Sequence, residues 1–456
     1  MEIRENEKSS AIFKLLVAFT AASLVALSSA TGPASVLILI LIISTTIALF
    51  SPIVIPATVL LFSPLLGRID ESIFGDIGGM EILAAWFLLL GGFIIILNFR
   101  KAFREKYFYI LILLSGLALL SVFISDMKFK SLTEVIRILS SFIMLPLAFT
   151  LCDNQKKRKV IFISILVSLC IPLTIGLYQK LTGDVDISTI NTLWEKQSGF
   201  LRIYSTFWDV HPFAKYLMMV LPLLLLFTIQ KQKSTFHKIF YLYVFSLTFI
   251  ELIFTYARSE LIGFFIALVV TLFVIDKLNL KIILLALPFV VFLFYISNTF
   301  ERFADIFQPI NLQSAARENS LESRILLWIK GFPMALQSPF WGHGADTFED
   351  KIGLIAHNDY LGLFFDIGIG GPILYLTFLF MSYRKSLRIS KSVLWDPIDR
   401  AISLAAVGTS VAIAIVGIAE NLFKATIMWW FYLALLGCTL NIDSCRNEDR
   451  ETDSVR

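Results

Sequence analysis

His357 and Asn358 stand where the polar, glycine-punctuated segment GHGADTFEDKIGLIAHNDYLGLFFDIGIGG (Gly342–Gly371) runs into an apolar helix. A side chain at that junction is both near water and half enclosed. An imidazole there titrates close to neutrality and is a ready proton acceptor; the competing reading is an interface histidine with its hydrogen bonds satisfied. Gly368 and Gly371, about one helical turn apart, would let another helix approach closely.

Cationic residues recur around the same level of the chain. Arg258, in TYARSELIGFF, interrupts a long apolar run. It is either a hairpin-tip guanidinium that reaches water along its own stem or an anion-binding group in a cavity. Arg202 precedes STFWDVHPFAKYL, where a polar loop enters another apolar run. Arg324 opens the amphipathic stretch 321–338, with Arg302, Arg317 and Lys330 nearby as head-group contacts. Glu420, Asn421 and Lys424 fall in a very short turn between the last two apolar runs, either solvated or part of a site. The four cysteines, Cys152, Cys170, Cys438 and Cys445, are scattered without metal-ligand spacing, so neither a disulfide framework nor a zinc site follows.

The elements that must carry these groups are membrane helices. Of 456 residues, 57% are hydrophobic and 16% charged, with a mean hydropathy of +0.79; a soluble domain carries roughly a quarter charged residues. Apolar runs at 11–30, 81–98, 107–125, 131–151, 160–178, 211–229, 239–256, 259–276, 281–298, 360–382, 401–421 and 424–441 read as spans. The first, flanked by Lys14 and lacking a small-residue cleavage site, reads as a signal-anchor. The run 33–66, with Pro52, Pro56 and Pro64, is either two short helices or a re-entrant hairpin. The expected class is an all-α polytopic membrane protein of about twelve to fourteen spans, one integral domain over residues 1–456.

Basic clusters at 100–106, 155–159, 231–238, 277–281 and 384–391 fall on one side together with both termini, which places that side in the cytoplasm. They set topology, and nothing in them calls for a nucleic acid. The opposite loops are mixed or acidic: 68–76, 180–209 and the long, mostly helical loop 299–356. Within the last, Leu321, Ile325, Trp328, Ile329 and Phe332 follow the spacing of an amphipathic helix lying at the outer interface.

Taken together, these residues resemble the bacterial O-antigen ligase and polymerase superfamily. His357-Asn358, nine residues, Gly368, two residues and Gly371 match its signature; Arg324, Trp328, Pro339, Gly342 and Gly344 resemble its upstream pattern. Arg258, Ser259 and Gly263 resemble its outer-tip arginine motif. The stretch from Arg202 is similar to a further motif, except that His211-Pro212-Phe213 replaces a usual Pro-Asn step. The likeness spans roughly residues 200–440; the first half resembles the family only in hydropathy.

The resemblance implies a C-type, metal-independent and inverting glycosyltransferase without cofactors. Its donor would be a glycan on undecaprenyl pyrophosphate, its acceptor a hydroxyl of lipid A–core (a ligase) or of another lipid-linked repeat unit (a polymerase). The ligase is slightly preferred. His357 would be the base; Arg258 and Arg324, with Arg202 as a weaker third, would hold the pyrophosphate, supported by Asn358, Gly368, Gly371 and Glu420. Transfer would occur on the periplasmic face of the inner membrane. A lipid-linked oligosaccharide flippase could use the same arginines without making a bond, and a chemically inert scaffold is the remaining alternative.

Overall fold

The computed structural model describes residues 32–68, 79–184, 201–229, 234–275, 295, 321–391 and 397–455. The expected span at 11–30, almost all of that at 281–298, and Arg302 and Arg317 lie outside the described residues. Among those described, every regular element is helical. That is what a bilayer dictates, because a helix satisfies its backbone hydrogen bonds within itself.

The run 33–66 forms two helices, α1 (Gly32–Ala48) and α2 (Val54–Phe62), closed by a 3-10 turn at Ser63–Arg68. There follow α3 (Gly79–Leu97), α4 (Lys106–Ile124), α5 (Lys128–Phe142), α6 (Met144–Leu151), α7 (Gln155–Ser168), α8 (Cys170–Thr182), α9 (Val210–Ile229), α10 (Thr235–Phe254) and α11 (Arg258–Val274). After the long loop come α12 (Leu321–Ala335), the short α13 (Phe348–Ile352), α14 (Asp359–Ile367), α15 (Gly370–Lys391), α16 (Pro397–Val416) and α17 (Thr426–Val455). Seven stretches among the described residues are long and apolar enough to cross a membrane, with α5–α6 and α7–α8 each counted as one. The chain is an all-α, multi-pass membrane protein. The two paired spans are interrupted for one reason: Pro146 and Pro172 each stand third in the second half, where a missing N–H costs least.

The first half of α17 forms the centre of the bundle. Trp429, Trp430, Phe431, Tyr432 and Leu433 are all at most 3% exposed. Trp430 Nε1 donates to the Ser140 carbonyl at 3.0 Å and Asn441 Nδ2 to that of Phe149 at 2.7 Å. Close approach depends on Gly437: a Cβ there would come within 2.7 Å of Ala148 Cβ and 2.8 Å of the Leu145 carbonyl oxygen. Apolar burial gives little drive between helices already in lipid, so contact of this kind, with such hydrogen bonds, holds the bundle together. The same holds where Gly263 of α11 faces Val416 of α16, a built Cβ lying 2.2 Å from Val416 Cγ2.

The helices place two unlike ends opposite one another. One end gathers the basic clusters of 99–106, 155–159 and 384–391, tied by a buried fork in which Arg158 Nε and Nη2 each donate at 2.8 Å to Asp399. The other end gathers the turns 125–127, 201–209, 255–257 and 417–425 with the segment 321–358.

At that second end the expected continuous span 360–382 is broken. Loop 339–344 is laid against the end of α14 by three backbone bonds: His343 N to Phe365 O at 2.8 Å, Gly344 N to Asp366 O at 3.0 Å and Ile369 N to Pro339 O at 2.8 Å. Gly368 turns with φ +80°, and a Cβ on it would sit 2.2 Å from the Phe340 carbonyl oxygen. The close neighbour at Gly368 is therefore this loop rather than another helix. A Cβ on Gly371 would meet Ile367 and Leu363, its own preceding turns. The helix–helix approach expected for this glycine pair is thus replaced by a loop–helix junction.

Helix α12 ends at Ala335 with Pro333 inside it. Its Trp328 Nε1 donates to the Ala356 carbonyl at 2.9 Å, while Ile329 and Phe332 are exposed, as are Leu336, Phe340 and Trp341 just beyond. An apolar outward face bonded from behind to the loop before His357 suits a helix in the membrane interface.

Candidate functional site

Glu420, 1% exposed in the turn between α16 and α17, is the hub of the second end. Its Oε1 lies 2.9 Å from Arg324 Nη2, 3.0 Å from Ser259 Oγ and 3.4 Å from His211 Nδ1. Its Oε2 lies 3.6 Å from Lys215 Nζ and 3.8 Å from His357 Nδ1. Residues from α9, α11, α12 and the loop before α14 thus converge on one carboxylate. Burial pushes its pKa up, but His211, Lys215, His357 and Arg324 together hold it well below the usual carboxylate range.

His357 sits on the loop before α14 with φ +45°, a left-handed conformation uncommon for a residue with a Cβ. Ser205, Tyr256 and Asp346, also left-handed, belong to loops of the same end. Such backbone persists only where surrounding contacts impose it. At His357 the neighbours do so: Asn358 N donates to Asn421 Oδ1 at 3.2 Å and Asp359 N to Gly417 O at 2.7 Å. The imidazole Nδ1 is buried and makes no hydrogen bond among the described residues; 3.8 Å to Glu420 is an ion-pair distance, too long for one. Burial pushes the His357 pKa down, and Glu420 only partly offsets it. The ring is therefore kept neutral near physiological pH, the form a base requires.

Asn358 is the N-cap of α14. Its Oδ1 accepts from Tyr360 N and Leu361 N, both at 2.9 Å. Its role is to start the helix immediately after His357.

A cavity of about 320 Å³ opens beside these groups, lined by His357, His211, Lys215, Glu420, Asn421, Lys424 and Arg137 among others. The volume lies at the lower end of small-molecule sites. Lys424 closes one side. It is bound to Asp346 at 2.6 Å and Asp366 at 3.2 Å, and these carboxylates hold its pKa far up against the effect of burial. The turn 417–425 is accordingly built into the site rather than left as a solvated connection.

The arginines take different places. Arg324 Nη1 donates to the Ala419 carbonyl and Nη2 to Glu420, while its buried Nε has no hydrogen-bond partner among the described residues. Arg258 is half-buried as the first residue of α11, next to Ser259, which reaches Glu420. Arg258 and His357 therefore belong to the same end. Arg202 is 5% exposed, and its Nε donates at 2.9 Å to the Thr255 carbonyl. With Ile203 N bonded to Phe254 O at 3.3 Å, it pins the turn that carries Arg258. Arg202, Arg258 and Arg324 are not among the residues lining the cavity; the cations on its wall are Lys215, Lys424 and Arg137.

Sequence reasoning missed Lys215 and Arg137. Each lies inside an apolar run, and a charge inside a span was the signal that could have found them. His211, Glu260 and Glu420 also bring one ligand atom each within 4.8 Å of one another. A divalent ion could use that spacing, but it would stand beside Arg324 and Lys215, which already engage Glu420.

Residues 243–376 match the family model described as O-Antigen ligase. The matched segment contains Arg258, Arg324, His357, Asn358, Gly368 and Gly371; Arg202, His211, Lys215 and Glu420 lie outside it. No curated protein matches the chain. The match supports the O-antigen ligase/polymerase superfamily and an O-antigen ligase or polymerase-like, glycosyltransferase-like activity.

Proposed function

We propose that this chain transfers an O-antigen-type glycan from undecaprenyl pyrophosphate to an acceptor hydroxyl, on the periplasmic face of a bacterial inner membrane. The observation that carries the reading is the single cavity shared by the neutral His357 and a cation-rich wall, with Glu420 between His357 and Arg324. Basic clusters at the far end support a cytoplasmic placement there, and hence a periplasmic one for the cavity.

In this reading the acceptor oxygen attacks the anomeric carbon from the side opposite the pyrophosphate, inverting it. The hydroxyl proton passes to His357, and the electron pair of the breaking sugar–phosphate bond goes to the phosphate oxygen. Arg258 and Arg324, at the same end as the cavity, are assigned to the pyrophosphate with Lys215 of the cavity wall, and fixed cationic groups favour the charge that accumulates there in the transition state. No other cofactor or metal enters the scheme. Arg202 acts through Arg258. The acceptor is lipid A–core, making the enzyme a ligase. A polymerase would use the same donor chemistry on a lipid-linked repeat unit.

Purified protein given a lipid-linked donor and lipid A–core should form a new glycosidic bond. Translocation without bond formation would make it a flippase. Deleting the gene should leave long lipid-linked chains unattached to core; cores capped with one repeat would make it the polymerase instead.

A further inference from the structure

We propose that His211 is an additional phosphate-binding residue of the cavity, an imidazole clamped by two carboxylates so that its second nitrogen faces the leaving diphosphate. The inference rests on the glycosyl-transfer reading and adds a residue outside the matched family segment.

His211 stands second in α9 and lines the same cavity as His357. Its Nδ1 lies 3.2 Å from Glu260 Oε1 and 3.4 Å from Glu420 Oε1, the two carboxylates being 0% and 2% exposed. Neither carboxylate is free to turn away. Glu260 Oε2 accepts from Ser259 Oγ at 2.9 Å, and Glu420 is held by Arg324 and Lys215. An imidazole with Nδ1–H directed at carboxylates has a fixed ring orientation. Nε2, on the opposite edge, has no protein hydrogen-bond partner among the described residues.

The charged and titratable groups around the ring are Asp209 just before it, Lys215 one turn on, Glu260 from α11, Arg324 from α12, and Glu420 and His357 from the loops. The carboxylates lie on the Nδ1 side. They sustain a positive ring while Nε2–H is left for an anion. Such a donor is directional and charge-assisted, and suits an oxygen that becomes more negative as the sugar–phosphate bond breaks. His211 keeps its proton throughout; the proton released by the acceptor goes to His357. The two histidines therefore have different tasks although both face Glu420.

The test uses the full-length protein with undecaprenyl diphosphate, free of glycan, as probe and undecaprenol as control. His211→Gln should weaken diphosphate binding about tenfold and leave undecaprenol binding unchanged. The loss should be specific to His211, so His357→Gln should keep wild-type affinity for the diphosphate. His211→Asn, shorter and neutral, provides a second variant where glutamine lowers the melting temperature. Unchanged diphosphate affinity in the folded variants would overturn the assignment. A wild-type protein that binds the diphosphate through His211 but forms no glycosidic bond would overturn the transfer reading alone; one that does not bind it overturns both.

Discussion

Arg324 and Glu420, 96 residues apart, are joined by a 2.9 Å ion pair at which α12 meets the turn between α16 and α17. The pair brings the interfacial helix to the loop of His357, since the same carboxylate lies 3.8 Å from that imidazole. Its side chains are 13% and 2% exposed, so the pair is little screened by water.

Glu420→Gln should therefore cost stability as well as activity. It leaves Arg324 and Lys215 beside a neutral amide, and breaking a buried pair from one side typically costs about 3 kcal/mol. A lowered melting temperature in detergent, with glycan transfer reduced by more than the unfolded fraction explains, is the expected outcome. Wild-type behaviour in both assays would remove Glu420 as the organising group.

His357 gives the pH dependence. Burial depresses its folded pKa below the ordinary imidazole value of about 6.5, so the neutral base persists as pH falls through that value. The acid limb of the transfer rate should lie below about pH 6.5, and His357→Ala should abolish transfer in a folded, membrane-inserted protein. Stability follows the same sign. The unfolded chain binds the proton first, so this residue's contribution is present above about pH 6.5 and is lost as pH falls toward the folded value.

Arg258→Lys should lose most of the transfer activity. A lysine retains the charge but not the two-pronged donor geometry that matches a phosphate. Near-normal transfer by the variant would show that charge alone suffices.

Asn358 separates capping from chemistry. Asn358→Asp keeps an oxygen for Tyr360 N and Leu361 N and should behave like wild type, whereas Asn358→Ala should lose about 1 kcal/mol. Loss of transfer in the folded aspartate variant would assign the amide a direct part in catalysis.

Gly368→Ala should disturb the site from a distance. With φ at +80° and the Phe340 carbonyl 2.2 Å from a built Cβ, either the turn or loop 339–344 must move, at a cost of about 1–3 kcal/mol. A lower melting temperature and a reduced transfer rate should appear together.

The helices were legible because a bilayer needs long apolar runs, and α3, α4 and α9 fall within three residues of the expected ends. His357 was legible from its junction between a polar segment and an apolar one. The partners of these groups were not. Hydropathy reports that α9 crosses the membrane but not which way it is turned, so nothing in the apolar run around Lys215 tells that its Nζ lies 3.6 Å from Glu420. Arg202 Nε donates to the Thr255 carbonyl, a pairing across 53 residues that no local pattern encodes. The break at Gly368 likewise depends on a loop some 25 residues upstream docking on the helix end.

The helix that fills the middle of the bundle, α17, leaves the ribosome after all the other described helices. Until Trp430 and its neighbours enter the bilayer, the earlier spans have nothing to close around, and Glu420 and Lys424 have yet to find their partners. Translation order thus leaves a nascent chain stalled before that segment with His357 but without the core that holds its surroundings in place.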